Sequence, residues 1–104
     1  MTSGLDKNVL AEIIKIIANR QQVEKIVLFG SWATKRAKRT SDIDLAVFGC
    51  DLSDSDLSLI RFDLEENIKT PLKFDVLHFE ILTKESLKED ILKEGIILYE
   101  SKKN

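Results

Sequence analysis

Two spacings alternate along this chain, and together they restrict its fold more than any single residue does. Leu5, Val9, Ile13, Ile16 and Ile17 recur at helical spacing between about Leu5 and Ala18, and Ser3 followed by Asp6 has the form of a capping box. A continuous apolar run from Val23 to Phe29 then reads as a buried strand, ended by Gly30. Ser31 to Lys38 suits a short helix. Asp42 to Phe48 is a second strand, followed by Gly49. Ser53 is placed to cap a helix that runs to about Asn67, with Leu57, Ile60, Leu64 and Ile68 on one face. Lys73 to Phe79 is a third strand. Thr83 is placed to cap a last helix carrying Leu87, Ile91 and Leu92, which Gly95 ends, and Ile96 to Tyr99 is a fourth short strand. The order αβαβαβαβ assigns the chain to the α/β class. It fixes neither strand order nor strand direction.

The 104 residues suit one domain, 1–104, around one core. A third of the residues are charged (33%), yet the formal net charge is only −2, so the chain as a whole is no general binder of polyanions. Any affinity for nucleic acid would need a local basic patch. Cys50 is the only cysteine, which rules out an internal disulfide and a Cys-rich metal site. It reads as a small buried or half-buried apolar residue. No apolar run approaches the ~20 residues of a membrane span. The start, Met1 to Asp6, has neither the basic flank nor the apolar stretch of a signal peptide, so the cytoplasm is the expected location.

The chemistry concentrates in Gly30 to Leu45. Asp42 and Asp44 are alternate residues of a strand, so both carboxylates project from one face, with Cα atoms roughly 6–7 Å apart. Ile43, Leu45 and Val47 point the other way and read as core. Asp42 and Asp44 alone are more simply a solvated strand end. Asp75 shifts that balance, because it too interrupts an apolar strand, and an acid there is costly to bury without a partner. If the third strand lies beside the second, Asp75 completes a three-carboxylate cluster. Oxygen-only ligands of this kind suit Mg²⁺ or Mn²⁺ and not zinc. Gly30-Ser31 offers backbone N–H groups, a hydroxyl and a helix start to anions, and Gly permits close approach of a phosphate. Alone it is usually just a turn. A phosphate cradle followed by metal-binding acids describes a site for a nucleoside triphosphate.

Gly30-Ser31, a ten-residue spacer and Asp42-Ile43-Asp44 resemble the signature of the polymerase-beta-like nucleotidyltransferases, and in so compact a chain the minimal nucleotidyltransferases of bacteria and archaea. Ala33, Ser41, Leu45 and Val47 fit as well, and Asp75 falls where the third acid of that family is expected. The resemblance spans roughly Val23 to Phe79. It implies a nucleotidyltransferase fold, a mixed sheet of about four strands flanked by helices. It also implies transfer of a nucleoside monophosphate, AMP from ATP, to a hydroxyl group with two Mg²⁺ ions (or Mn²⁺). By the resemblance Asp42, Asp44 and Asp75 are the catalytic and metal-binding acids, Asp75 also receives the acceptor's proton, and Gly30 and Ser31 hold the leaving phosphates. The family commonly has Ala-Arg-Gly where this chain has Ala33-Thr34-Lys35. The lost Gly is expected to alter the turn after the short helix. The lost Arg removes a cation that Lys35 or Arg36 is placed to replace.

Lys35, Arg36, Lys38 and Arg39 put four positive charges in five residues. They read as a solvated helix end, as a phosphate clamp, or as a docking face for an acidic partner or RNA. His78 lies on the opposite strand face from Asp75 and reads as structural or surface. Asp63, Glu65 and Glu66 read as the solvent side of their helix, Trp32 as stacking on a base or packing on the sheet, and Tyr99 as core. About 100 residues leave no room for an acceptor-binding domain, so the acceptor belongs to another chain. In the minimal family that partner is often a helical HEPN-domain protein, commonly an RNase toxin with an Arg-x(4–6)-His motif. His78 has no arginine at that spacing, so this chain resembles the antitoxin half. Two functions stay open: an enzyme that adenylylates a HEPN partner on tyrosine, and a non-catalytic nucleotide-binding subunit that acts by contact. An independent enzyme acting on a small molecule is a third.

Overall fold

A computed structural model describes residues 4–102. Helix α1 (Lys7–Ala18) opens on Asp6, whose carboxylate accepts the backbone N–H groups of Asn8 at 2.7 Å and Val9 at 3.4 Å. Asp6 is therefore itself the cap. The expected capping residue, Ser3, lies outside the described residues. Strand β1 (Lys25–Phe29), the one-turn helix α2 (Ser31–Thr34), strand β2 (Ile43–Phe48), helix α3 (Asp54–Asn67) and strand β3 (Phe74–His78) follow. A 3₁₀ turn (Phe79–Ile81), helix α4 (Glu85–Glu94) and strand β4 (Ile96–Glu100) complete the chain.

The sheet order is β3-β2-β1-β4. Strand β1 runs antiparallel to both neighbours, and β2 and β3 are parallel. A parallel pair needs a crossover, and α3 supplies it. Ser53 caps α3 as expected. Its hydroxyl accepts the Asp56 N–H at 3.1 Å, and the Asp56 carboxylate accepts the Ser53 N–H at 2.9 Å. Alternation divides the strands between two apolar layers. Ile26, Leu28, Ile43, Leu45, Val47 and Phe74 pack under α1 and α3 with Ile13, Ile17, Ile60 and Leu64. Val27, Phe29, Ala46 and Phe48 face the other way, against Ile91 of α4 and the 3₁₀ turn, where Phe48 stacks on Phe79 at 4.2 Å between centroids. The α/β expectation holds, and the sheet is mixed.

Several local expectations need correction. Helix α2 stops at Thr34, not Lys38, because Lys35 takes a left-handed conformation (φ 62°) that cannot continue a helix. The first residue of α4 follows Lys84, so Thr83 is not its cap. Ile91 faces the sheet, and a helix turns about 100° per residue, so the adjacent Leu92 projects outward and is 61% exposed. Cys50 is exposed, since it lies in the turn after β2 and not within it. No described helix is long and apolar enough to cross a membrane.

Candidate active site

The carboxylates gather at one end of the second apolar layer. Asp44 lies on the same strand face as Ala46 and Phe48, but unlike them it is only half-buried. In the sheet register Asp44 lies opposite Phe29 on one side and Asp75 on the other. Asp42, just before β2, projects from the same face and is exposed, as is Asp75. The topology thus brings together the three acids that the sequence singled out.

Gly30 forms the near wall. Its φ of +74° and ψ of −152° belong to a region that is essentially glycine-only. A Cβ there would run into the Asp44 carboxylate. The absence of a side chain is what lets β1 turn into α2 beside Asp44. Ser31 is half-buried, and its hydroxyl makes no hydrogen bond with another described residue. Helix α2 is one turn long, so it offers local N–H groups and a hydroxyl but little aligned dipole, less than a helix to Lys38 would have given. The turn after it is made by Lys35 itself, in the left-handed conformation that favours glycine. Thr34 turns inward, and its hydroxyl donates to the Gly30 carbonyl at 3.2 Å. Trp32 packs against the core rather than standing free, and its indole N–H donates to the Ser41 carbonyl at 2.9 Å. Ser41 in turn accepts the Lys38 N–H on its hydroxyl at 2.8 Å and donates its own N–H to the Lys38 carbonyl at 3.0 Å. This small network ties the basic loop down and delivers the chain to Asp42.

Asp44 is electrostatically out of place. Its pKa rises from 3.8 to about 6, first because burial penalises the charge and then because Asp75 and Asp42 repel it. Among the described residues none of the three acids forms an ion pair. Nor do any three acid, His or Cys side chains close tightly enough to enclose a metal ion, so the three-carboxylate set is assembled by the backbone but not drawn in around a point. The donor chemistry still fits a hard cation. The acids provide oxygens only, on two adjacent strands, and the half-buried one has no counter-charge.

Two clefts flank the acids. One, about 340 Å³, runs from Phe29, Gly30, Ser31, Thr34 and Arg36 to Leu87, Asp90 and Glu94 of α4. Arg36 lines it and Lys35 does not, which separates the two cations proposed from sequence. The other, about 320 Å³, is lined by Arg39, Thr40, Asp42, Pro71, Leu72 and Lys73. Lys73 went unnoticed in the sequence reading. Its signal was the period of two that sets it on Asp75's face. Its carbonyl accepts the Ile43 N–H at 2.8 Å, which extends the β2–β3 ladder and sets Lys73 beside Asp42. His78 lies at the opposite end of β3. It is buried, and its Nε2 hydrogen-bonds the Gly49 carbonyl at 2.7 Å, a structural role. Tyr99 packs against the core, and Asp63 pairs with Arg20 at 3.4 Å.

The family described as "Polymerase beta, Nucleotidyltransferase" matches residues 11–104. The chain is 30% identical over 90 residues, 86% of each chain, to the Methanocaldococcus jannaschii protein named "Putative protein adenylyltransferase MJ1217". Its fold resembles a chain in the crystal structure of a toxin–antitoxin with AMP-PNP, at a TM-score of 0.71 and 22% identity over 94% of this chain and 76% of that one. It also resembles a chain in the structure of a tri-AMPylated Shewanella oneidensis HEPN toxin in complex with MNT antitoxin. There the TM-score is 0.70, with 21% identity over 93% of this chain and 74% of that one.

Proposed function

From the premise that this chain belongs to the polymerase beta nucleotidyltransferase family, we propose that residues 1–104 act as one magnesium-dependent domain that transfers AMP from ATP to a hydroxyl of a partner protein. The observation that carries the proposal is Asp44: half-buried, raised to about 6, opposite Asp75 and against Gly30, with no ion pair to a cation among the described residues. Asp42 and Asp44 would hold the magnesium ion that comes with the triphosphate, and Asp75 would join them in holding a second one. Magnesium bound there supplies charge neutralisation on the attacking and leaving oxygens. Ser31 and the N–H groups after Gly30 hold the leaving phosphates, with Arg36 in place of the arginine that Thr34 replaces. The acceptor oxygen bonds to the α-phosphorus as the bond to the bridging oxygen breaks. Pyrophosphate departs, and Asp75 takes the hydroxyl proton.

The partner that suits this reading is a HEPN-domain protein, because a neighbouring fold is found in complex with an AMPylated HEPN toxin. The chain then works in the cytoplasm as the antitoxin of the pair. A non-catalytic role by contact alone draws support from Thr34, whose inward hydroxyl offers nothing to a phosphate. The deciding experiment incubates the chain with ATP, Mg²⁺ and its genomic neighbour, followed by mass spectrometry of both proteins. AMP on the neighbour, lost in Asp75→Asn with Mg²⁺-ATP binding retained, is the expected result. Neutralisation of the neighbour without any added AMP would establish the contact role instead.

A further inference from the structure

The strand order divides the site into two sides. Gly30 and Ser31 extend from β1, Asp42 and Asp44 lie on β2, and Lys73 and Asp75 lie on β3 or just before it. The acids of β2 therefore stand between the Ser31 cleft and the Lys73 cleft. In an in-line displacement the attacking and leaving oxygens take opposite sides of the phosphorus. With the leaving phosphates on the β1 side, the acceptor enters from the β3 side, into the cleft of about 320 Å³ that reaches Asp42.

That cleft has a definite chemistry. Arg39 and Lys73 flank it, and Lys38 follows Arg36 along the same loop. All are exposed, and none makes an ion pair with another described residue, although Asp42 shares the cleft with Lys73. Pro71 and Leu72 provide a small apolar wall, and no aromatic side chain lines the cleft to stack a base. Unpaired cations beside an apolar wall fit an extended peptide with acidic side chains better than a nucleic-acid strand. We infer that this β3-side cleft is the acceptor subsite, and that Arg39 and Lys73 select a protein segment in which the acceptor hydroxyl is flanked by carboxylates. The inference rests on the nucleotidyltransferase reading above for the direction of attack.

The test uses three short fluorescent peptides with a central tyrosine flanked by Glu, Gln or Lys, titrated by anisotropy against the chain with Mg²⁺ and a non-hydrolysable ATP analogue. The Glu peptide should bind about tenfold tighter than the Gln peptide at low salt, as two rim charges allow. Arg39→Gln with Lys73→Gln should abolish the preference, and Lys73→Glu should shift it toward the Lys peptide. Both variants should keep wild-type affinity for the analogue. Equal affinity for the three peptides, or a preference that survives the double substitution, overturns the subsite. Loss of analogue affinity in Lys73→Gln reassigns the cations to the triphosphate and also overturns it. So does a single-stranded RNA oligonucleotide that binds the cleft more tightly than the Glu peptide. The nucleotide reading is scored separately: if wild type gives no thermal shift with Mg²⁺ and the analogue, that reading fails, while the peptide preference is still measured.

Discussion

Replacing Asp44 with Asn should stabilise the metal-free protein, although it removes a residue at the centre of the site. A rise from 3.8 to about 6 means that ionising Asp44 in the folded state costs roughly 3 kcal/mol more than in the unfolded chain. The group is half-exposed, and solvent screening reduces this to about 1–2 kcal/mol at neutral pH. The folded pKa is the higher one, so the wild-type chain keeps its full stability below about pH 4 and loses it as the pH climbs through 6. Asn matches the protonated acid in size and carries no charge at any pH. Its advantage should be absent below about pH 4 and reach roughly 5–9 °C in Tm above pH 7 for a chain of this length. The assay is thermal unfolding of both proteins in EDTA between about pH 4 and 8. Millimolar Mg²⁺ at neutral pH should then raise the Tm of wild type and leave that of Asp44→Asn nearly unchanged. An Asn variant no more stable than wild type at pH 7.5, or one whose advantage grows toward acid, would refute the account of Asp44 as an uncompensated charge.

Gly30→Ala forces a side chain into the Asp44 carboxylate at a glycine-only backbone angle, and should cost on the order of 1–3 kcal/mol by urea denaturation while abolishing the thermal shift with Mg²⁺-ATP. Lys35→Gly relieves the left-handed strain and should gain about 0.5–1 kcal/mol in the same assay; a loss would mean that Lys35 makes a compensating contact. His78→Ala strips the Gly49 carbonyl of its partner and should lose about 1–3 kcal/mol while leaving Mg²⁺-ATP affinity unchanged by calorimetry.

What the sequence made legible is what period and chemistry alone determine. Asp42 and Asp44 share a face in any strand, and Asp75 had to lie in an apolar one, so the acids were found before the sheet order was known. The pairing of β2 with β3 was not legible, because it depends on α3 packing across the sheet rather than on either strand's own residues. Arg36 could not be told from Lys35. Which of them lines the cleft is decided by one backbone angle, at a residue whose type rarely adopts it. Lys73 figured in the sequence only as the start of a strand, and its register beside Asp42 is what brings it to the site. Leu92 and Cys50 were misread for the same reason, since one position along a helix, or two past the end of a strand, reverses burial.

The two ends of β2 show why the acids are better read as functional than as structural. At the far end, polar groups in apolar surroundings satisfy one another. His78 bonds the Gly49 carbonyl, and both oxygens of Glu80 accept the Gly49 N–H at 3.1 Å. Among the described residues no fully buried side-chain polar atom lacks a partner. The near end obeys no such economy. Gly30 and Lys35 take unusual backbone angles, and Asp44 lies beside two other acids and pairs with no cation among the described residues. These departures all fall in residues 30–44 and around one point of the sheet, where local rules are broken together. Asp44 escapes the penalty of a sealed charge only because solvent still reaches it, and the same opening is the route by which the proposed cation would enter. The strain and the access are one arrangement: closing the site to protect Asp44 would stabilise the fold and shut out the cation proposed to resolve the repulsion.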